Sequence, residues 1–173
     1  RACAAPAPAA QAPVRLIVPF TPGTGIDLIA RQIGPRLAER LGRPVVVDNR
    51  AGASGNLGTE AVVRAPADGS TLLVTVNTLV MNRALFPKLG FDPVKDLEPV
   101  SLTSWGQLLL VASKGSGITN ATELVARAKA RPGALNYASP GAGTPHHLAM
   151  ELLKSRAKII ITHIPYPGTA QAV

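Results

Sequence analysis

Thiols and aromatic rings are scarce in this chain. Its 173 residues hold one cysteine, Cys3, and only three Phe, two Tyr and one Trp: Phe20, Phe86, Phe91, Trp105, Tyr137 and Tyr166. A single cysteine excludes a disulfide framework and a cysteine-based zinc site. With aromatics at 3%, the core has to be built from Val, Leu, Ile and Ala. No uninterrupted apolar run approaches the ~18 residues of a membrane-spanning helix. Acidic residues are few as well, 10 against 18 Lys and Arg, for a net charge of +8. That excess is scattered: residues 1–100 carry 11 basic and 8 acidic side chains, the remainder 7 and 2. Nucleic-acid readers gather Lys and Arg in stripes, often interleaved with aromatic rings. Neither feature occurs here, so the charge points away from nucleic acid and toward a small anionic ligand.

What is present is enough for an ordinary folded chain. Apolar residues make 46% and mean hydropathy is +0.21, which excludes global disorder. The 16 glycines and 16 prolines follow no collagen period. The Ala/Pro-rich opening ends in Ala10-Gln11-Ala12, the A-x-A form of a secretory cleavage site. Residues 1–12 are therefore read as the remnant of a secretion signal or leader. The closing run Thr169-Ala-Gln-Ala-Val173 reads as the start of a helix without its C-cap, so a fold truncated at its C-terminus is expected.

Between these ends strands and helices alternate. Val14–Val18, Pro44–Asp48, Thr71–Val76, Val100–Thr103, Leu108–Ser113, Leu135–Ala138 and Ile159–Ile164 are β-rich runs. Ile26, Ile29, Ala30, Ile33, Leu37, Ala38 and Leu41 form a helical stripe closed by Gly42. Gly34-Pro35 within it predicts a kink or a weakened turn. Further helices are expected over 56–65, 79–85, 121–130 and 145–155, and from 169. Such alternation implies parallel βαβ units, an α/β class.

In parallel α/β sheets ligands bind beyond the carboxyl ends of the strands, where helices begin. Four strand-to-helix loops here are polar and rich in small residues: Pro19–Asp27, Asn49–Asn56, Asn77–Thr78 and Ser139–Thr144. Glycines let a ligand approach the backbone. The free N–H groups of a helix start carry positive partial charge and suit a carboxylate or phosphate. Tight turns with good caps would produce the same composition.

Other chemistries fit less well. Gly23-Thr24-Gly25 before Asp48 imitates a dinucleotide fingerprint, but its third glycine position is Leu28. Gly52-Ala-Ser54-Gly misses the G-x-S-x-G elbow of a hydrolase. His147 and Glu151 stand four apart on a helix, too few for a metal site. Asp27 alone is weak as a general base. Asn120-Ala-Thr122 matches a glycosylation acceptor, a pattern that chance often produces.

Five motifs occur in order: Pro19-Phe20-x-Pro22-Gly23-x-Gly25-x-Asp27; Asp48-Asn49-Arg50-x-Gly52-Ala53-x-Gly55-Asn56-x-Gly58; Tyr137-Ala138-Ser139-x-Gly141-x-Gly143-Thr144; His147-Leu148-Ala149-x-Glu151; and His163-x-Pro165-Tyr166-x-Gly168. Together they resemble the Bug family of extracytoplasmic solute receptors of the tripartite tricarboxylate transporter system. The resemblance implies a type II periplasmic-binding-protein-like fold, two α/β lobes with mainly parallel sheets that close on a ligand. It places lobe 1 at 13–104, a hinge or crossing strand at 105–113 and an incomplete lobe 2 at 114–173. It implies a periplasmic receptor for a small carboxylate or amino acid, with membrane transporter subunits as partners, no cofactor and no catalysis. An anion- or nucleotide-using α/β enzyme is the alternative. The expected ligand-binding residues are Phe20, Gly23, Thr24, Gly25, Asp27, Ser139, Gly141, Gly143 and Thr144, with Asn77 and Thr78 added by position. Thr24 stands where the family usually has glycine, and Pro140 and Pro145 remove two amide donors.

Overall fold

The most buried stretch among the described residues is the first strand. A computed structural model describes residues 12–173. The expected leader at 1–12 and Cys3 thus lie, apart from residue 12, outside the described residues. In β1 (Val14–Val18), Val14, Leu16, Ile17 and Val18 are at most 2% exposed. The cause is its central place. Parallel strands β2 (Val45–Asn49) and β3 (Thr71–Leu73) flank it, in the order β2-β1-β3. A central parallel strand is covered on both faces, so its sequence reads as a near-continuous apolar run.

Helix α1 (Gly25–Leu41) returns across this sheet and lays Ile26, Ala30 and Leu37 on the core of Val14, Leu16 and Val18. It runs unbroken through Gly34-Pro35. Pro35 lies on the exposed side, where the carbonyl it leaves without a donor can meet water. Gly34 is buried, and a Cβ there would stand 3.8 Å from Val45, so the glycine lets α1 sit close to β2. Gly42 ends the helix in the left-handed region at φ 64°. Helix α2 (Asn56–Val63) follows β2 through a 3-10 turn at Ala53–Gly55, and α3 (Thr78–Leu85) follows β3.

A second parallel sheet pairs β4 (Asn136–Ser139) with β5 (Thr162–Pro165). Helices α4 (Ala121–Ala130) and α5 (Pro145–Ala157) pack on it. Its core is Ala128, Met150, Ile159 and Ile161, surrounded by Leu124, Val125, Leu135, Tyr137, Leu153 and Ala157. A short α6 (Thr169–Ala172) follows β5. The α/β class with parallel strands is therefore as the sequence predicts.

Some expected elements differ. The strands foreseen at 100–103 and 108–113 do not form. Apolar β-rich sequence needs a hydrogen-bonding neighbour, and no strand among the described residues lies beside this segment. Leu108, Leu109, Leu110 and Val111 are exposed as a result. The third strand stops at Leu73 instead of Val76, although Val74 N–H still donates to Ile17 O at 2.9 Å. The last strand begins at Thr162 rather than Ile159, because Ile159 and Ile161 turn into the core before the ladder starts. No helix of the described residues is long and apolar enough to cross a membrane.

Candidate functional site

Parallel β1, β2 and β3 bring the starts of α1, α2 and α3 to one edge of the first sheet. None of these three helices has a side-chain cap at its N-terminus. Thr24, the N-cap of α1, turns its hydroxyl away and donates to Thr21 O at 3.1 Å. First-turn amides of α1 are thus left for an outside acceptor, and the helix dipoles favour an anion there.

Asp27 fixes the first loop. Its carboxylate is 2% exposed and accepts from Gly23 N–H (2.8 Å), Asn49 Nδ2 (2.9 Å) and Arg31 Nε (3.0 Å). Burial alone would raise its pKa, but the donors from Arg31, Gly23 and Asn49 outweigh that and hold it below the usual carboxylate value. Asp27 and the Gly23 amide therefore face each other. Asn49 also donates to Phe20 O at 3.1 Å, which joins the end of β2 to the same loop. Phe20 lies against the second loop: a Cβ on Gly55 would stand 3.3 Å from its ring.

That second loop holds four successive residues at positive φ: Gly52 (140°), Ala53 (46°), Ser54 (56°) and Gly55 (92°). Asn82 on α3 supports it, donating from Nδ2 to Ser54 O (3.0 Å) and to Asn56 Oδ1 (2.7 Å). Asn82 lies one turn after Thr78, and both are 1% exposed. Asn82 Oδ1 is buried and without a hydrogen-bond partner. Asn77 is exposed.

The fourth loop, 139–144, is held by side chains at both ends. The Ser139 hydroxyl donates to Gly141 O (3.1 Å) and also accepts from Gly141 N–H (3.3 Å). Ser139 Oγ stands 2.7 Å from His163 Nε2. The Ser139 hydroxyl thus stands between Gly141 and the His163 imidazole, and the imidazole's tautomer sets which of the two carries the shared proton. Gly143 N–H donates to His147 Nδ1 at 3.1 Å, and Thr144 Oγ1 caps α5 at His147 N–H. The rings of His147 and His163 stack at 4.2 Å, and Tyr137 stacks on His163 at 4.8 Å. Glu151 ends the chain of contacts, accepting from Lys154 Nζ (2.6 Å) and Tyr137 OH (2.7 Å). These two donors lower the Glu151 pKa, while burial and the nearby Glu151 charge raise that of Tyr137. Burial and the adjacent His147 lower that of His163.

The loops meet. Ser54 Oγ donates to Ala142 O. A Cβ on Gly143 would lie 2.9 Å from Leu85 and 3.7 Å from Asn82 Oδ1, so the fourth loop rests directly on α3. Gly168 lies directly against Thr21 Oγ1 with no room for a Cβ, which brings the turn after β5 onto the first loop. Phe20, Thr24, Gly25, Thr78, Ser139, Gly141, Gly143 and Thr144 thus belong to loops in mutual contact. Ser139 and Thr144 are buried behind the fourth loop's backbone and act by shaping it. His147 and Glu151 stand 3.8 Å apart, and no third His, Cys, Asp or Glu among the described residues joins them to hold a metal.

Arg31 and Asn82 were not singled out from the sequence; Ser54 and His147 were weighed only as a nucleophile and a metal ligand, and Asn49 and His163 were quoted without a task. A polar Asn inside the apolar run of α3 and a Ser between Ala53 and Gly55 were the available signals.

Three kinds of comparison place the chain in a family and a fold. The family described as "Tripartite tricarboxylate transporter family receptor" matches residues 29–173. Protein BugT of Bordetella pertussis is 39% identical over 163 residues, 93% of this chain and 50% of its own. A UPF0065 protein from the tcbD-tcbE intergenic region of Pseudomonas sp. strain P51 is 40% identical over 161 residues, 93% of this chain and 48% of its own. The chain therefore spans about half the length of the curated relatives it matches. Among solved structures, MatC of Rhodopseudomonas palustris with bound malate superposes with a TM-score of 0.85 at 34% identity, covering 94% of this chain and 56% of that one. Rpa4515 of R. palustris with adipate gives 0.81 at 34% identity, covering 94% and 55%.

Proposed function

The chain belongs to the tripartite tricarboxylate transporter receptor family, and on that premise we propose that it is the binding portion of a periplasmic receptor for a small organic anion, a carboxylate or an amino acid. One observation carries the reading: three uncapped helix starts in the first sheet come together with a backbone-rich loop of the second. Helix-start amides and dipoles hold an anion without a cationic side chain. The two relatives solved with malate and adipate, both dicarboxylates, support this ligand class.

In this reading residues 13–104 are lobe 1, 114–173 are lobe 2 and 105–113 form the hinge. The lobes close on the ligand in the manner of a trap. The amides of Thr24 and Gly25 and the start of α3 at Thr78 face one end of the anion, and the backbone of 141–143 faces the other. Phe20 supplies an apolar wall. Asp27, Gly23, Ser139 and Thr144 shape the loops from behind. The captured anion passes to membrane transporter subunits, and residues 1–12 are what remains of a secretion signal.

An α/β enzyme is the second reading, favoured by the 2.7 Å contact of Ser139 with His163. Against it, Ser139 is 1% exposed and stands behind the loop whose Gly141 it contacts, which shields Oγ from a substrate.

Thermal-shift screening of the protein at the full length of its gene, against small carboxylic and amino acids, tests both. A ligand that binds only the folded state adds about 2.7 kcal/mol at a hundredfold excess over Kd. A stabilising acid recovered unchanged after incubation is the expected outcome. No shift from any acid removes the receptor reading, and chemical conversion of the acid replaces it with the enzyme.

A further inference from the structure

Apart from the local turn in which Ser116 donates to Ser113 O, Ser54 Oγ to Ala142 O is the only hydrogen bond found among the described residues that joins 12–113 to 114–173. Further contacts across this boundary are steric, among them Gly143 against Leu85 and Asn82, and Gly168 against Thr21. Steric contact keeps the two parts from approaching further, whereas a hydrogen bond opposes their separation. Ser54 is also held in an unusual conformation. At φ 56° and ψ 34° it lies in the left-handed region, directly after Ala53 at φ 46°. Neither residue is glycine, and left-handed backbone is unfavourable for both. Asn82 Nδ2 on the Ser54 carbonyl pins this backbone, and Asn82 is itself buried where the fourth loop rests.

We propose that Ser54 is a latch, a positioning residue that holds the 139–144 loop against the first sheet and so slows escape of a bound anion. The role in retention rests on the receptor reading; the latch itself does not. Left-handed backbone at 53–54 is what aims the hydroxyl across the boundary, and Asn82 keeps it aimed. The acceptor is a main-chain carbonyl, so the latch does not depend on which side chain occupies position 142. Removing the hydroxyl leaves Ala142 O without its donor and frees the loop to lift from α3.

Hydrogen exchange on the protein at the full length of its gene, with no ligand added, tests this in two variants. Ser54→Ala removes the hydroxyl and keeps a Cβ in the left-handed region. Ser54→Gly removes the hydroxyl and relieves the backbone. Both are expected to speed exchange of Gly143 N–H and its neighbours in 141–144 about fivefold, the change that one net hydrogen bond produces. Exchange within β1 and β4 stays as in the parent. A merely structural role for Ser54 predicts the opposite from Ser54→Gly: slower or unchanged exchange, because the strain is gone. Unchanged exchange at 141–144 in Ser54→Gly overturns the latch, whatever Ser54→Ala does, and should Ser54→Ala fail to fold, the glycine variant decides. In parallel, malate and adipate serve as probes: if either binds, its dissociation rate rises by a similar factor in both variants. If neither binds, the receptor reading is what suffers, while the exchange result stands separately.

Discussion

Removing the Asp27 carboxylate would strand three donors together: Gly23 N–H, Arg31 Nε and Asn49 Nδ2. The side chain is 2% exposed, so water replaces little of what is lost. Asp27→Ala is expected to cost about 2–4 kcal/mol, since buried donors deprived of a charged acceptor are expensive. Urea denaturation of the variant measures it; a loss below half a kcal/mol would mean the first loop does not depend on this anchor. The pKa of Asp27 is held below that of an unfolded aspartate. Its contribution is therefore full above the unfolded value of about 3.9 and is lost as pH falls through the lower, folded value. His163 acts at higher pH with its own sign. Burial lowers its folded pKa, so the unfolded chain binds the proton first and stability declines as pH falls below about 6.5. His146, lowered by burial as well, adds to the same step. His163→Gln keeps an amide able to donate to or accept from Ser139 and removes one titration. Denaturation midpoints between pH 7 and 5 are expected to fall less steeply in that variant, and an unchanged slope would assign the step to His146 alone.

Elements with a periodic pattern were legible in the sequence, and those whose state depends on a distant neighbour were not. The stripe from Ile26 to Leu41 specified α1 within one residue, and the local preference survived Pro35 because that proline lies on the open side. Leu108-Leu-Leu-Val111 carries as strong a β signal as Val14–Val18, yet only the latter has strands to pair with. Strand pairing is non-local, and no window of sequence contains it. The glycines divide in the same manner, by what surrounds them. A Cβ on Gly58 would stand 2.7 Å from Pro19 Cβ and 2.8 Å from Arg50 O, where α2 crosses the end of β1. Backbone cannot yield there as a flexible side chain would. Gly58→Ala is expected to destabilise by about 2–3 kcal/mol, in the range of an overpacked core. Gly25→Ala, with nothing within 4 Å and an ordinary φ, is expected within about 0.5 kcal/mol of the parent. Thermal unfolding of the pair checks the contrast. Equal effects would mean that glycine entropy, and not the approach of α2 to β1, governs both sites.

At the scale of the whole molecule, the loops of the site were read from composition, but their division of labour was not. Gly23 and Asp27 were expected as ligand contacts from the family resemblance; in the fold they also hydrogen-bond each other, a pairing that no motif announces. The link between Ser54 and residue 142 spans 88 positions and exists only in three dimensions. The same scale governs the segment between the sheets. Val100, Leu102, Trp105, Leu109 and Val111 are all more than 60% exposed, Trp105 at 90%. An apolar ribbon of this size in water is unfavourable unless something covers it. The 173-residue chain makes the point measurable, because Trp105 is its sole tryptophan and reports on this ribbon alone. In the 173-residue chain, acrylamide is expected to quench its fluorescence almost as fully as that of free indole. In the protein at the full length of its gene, if a further segment packs on the ribbon, Trp105 shifts toward shorter wavelength and resists quenching. Protection already present in the 173-residue chain would contradict the exposed path of residues 100–113. It would mean that the ribbon closes over the apolar hollow that Leu110 already lines together with Leu124 and Leu153.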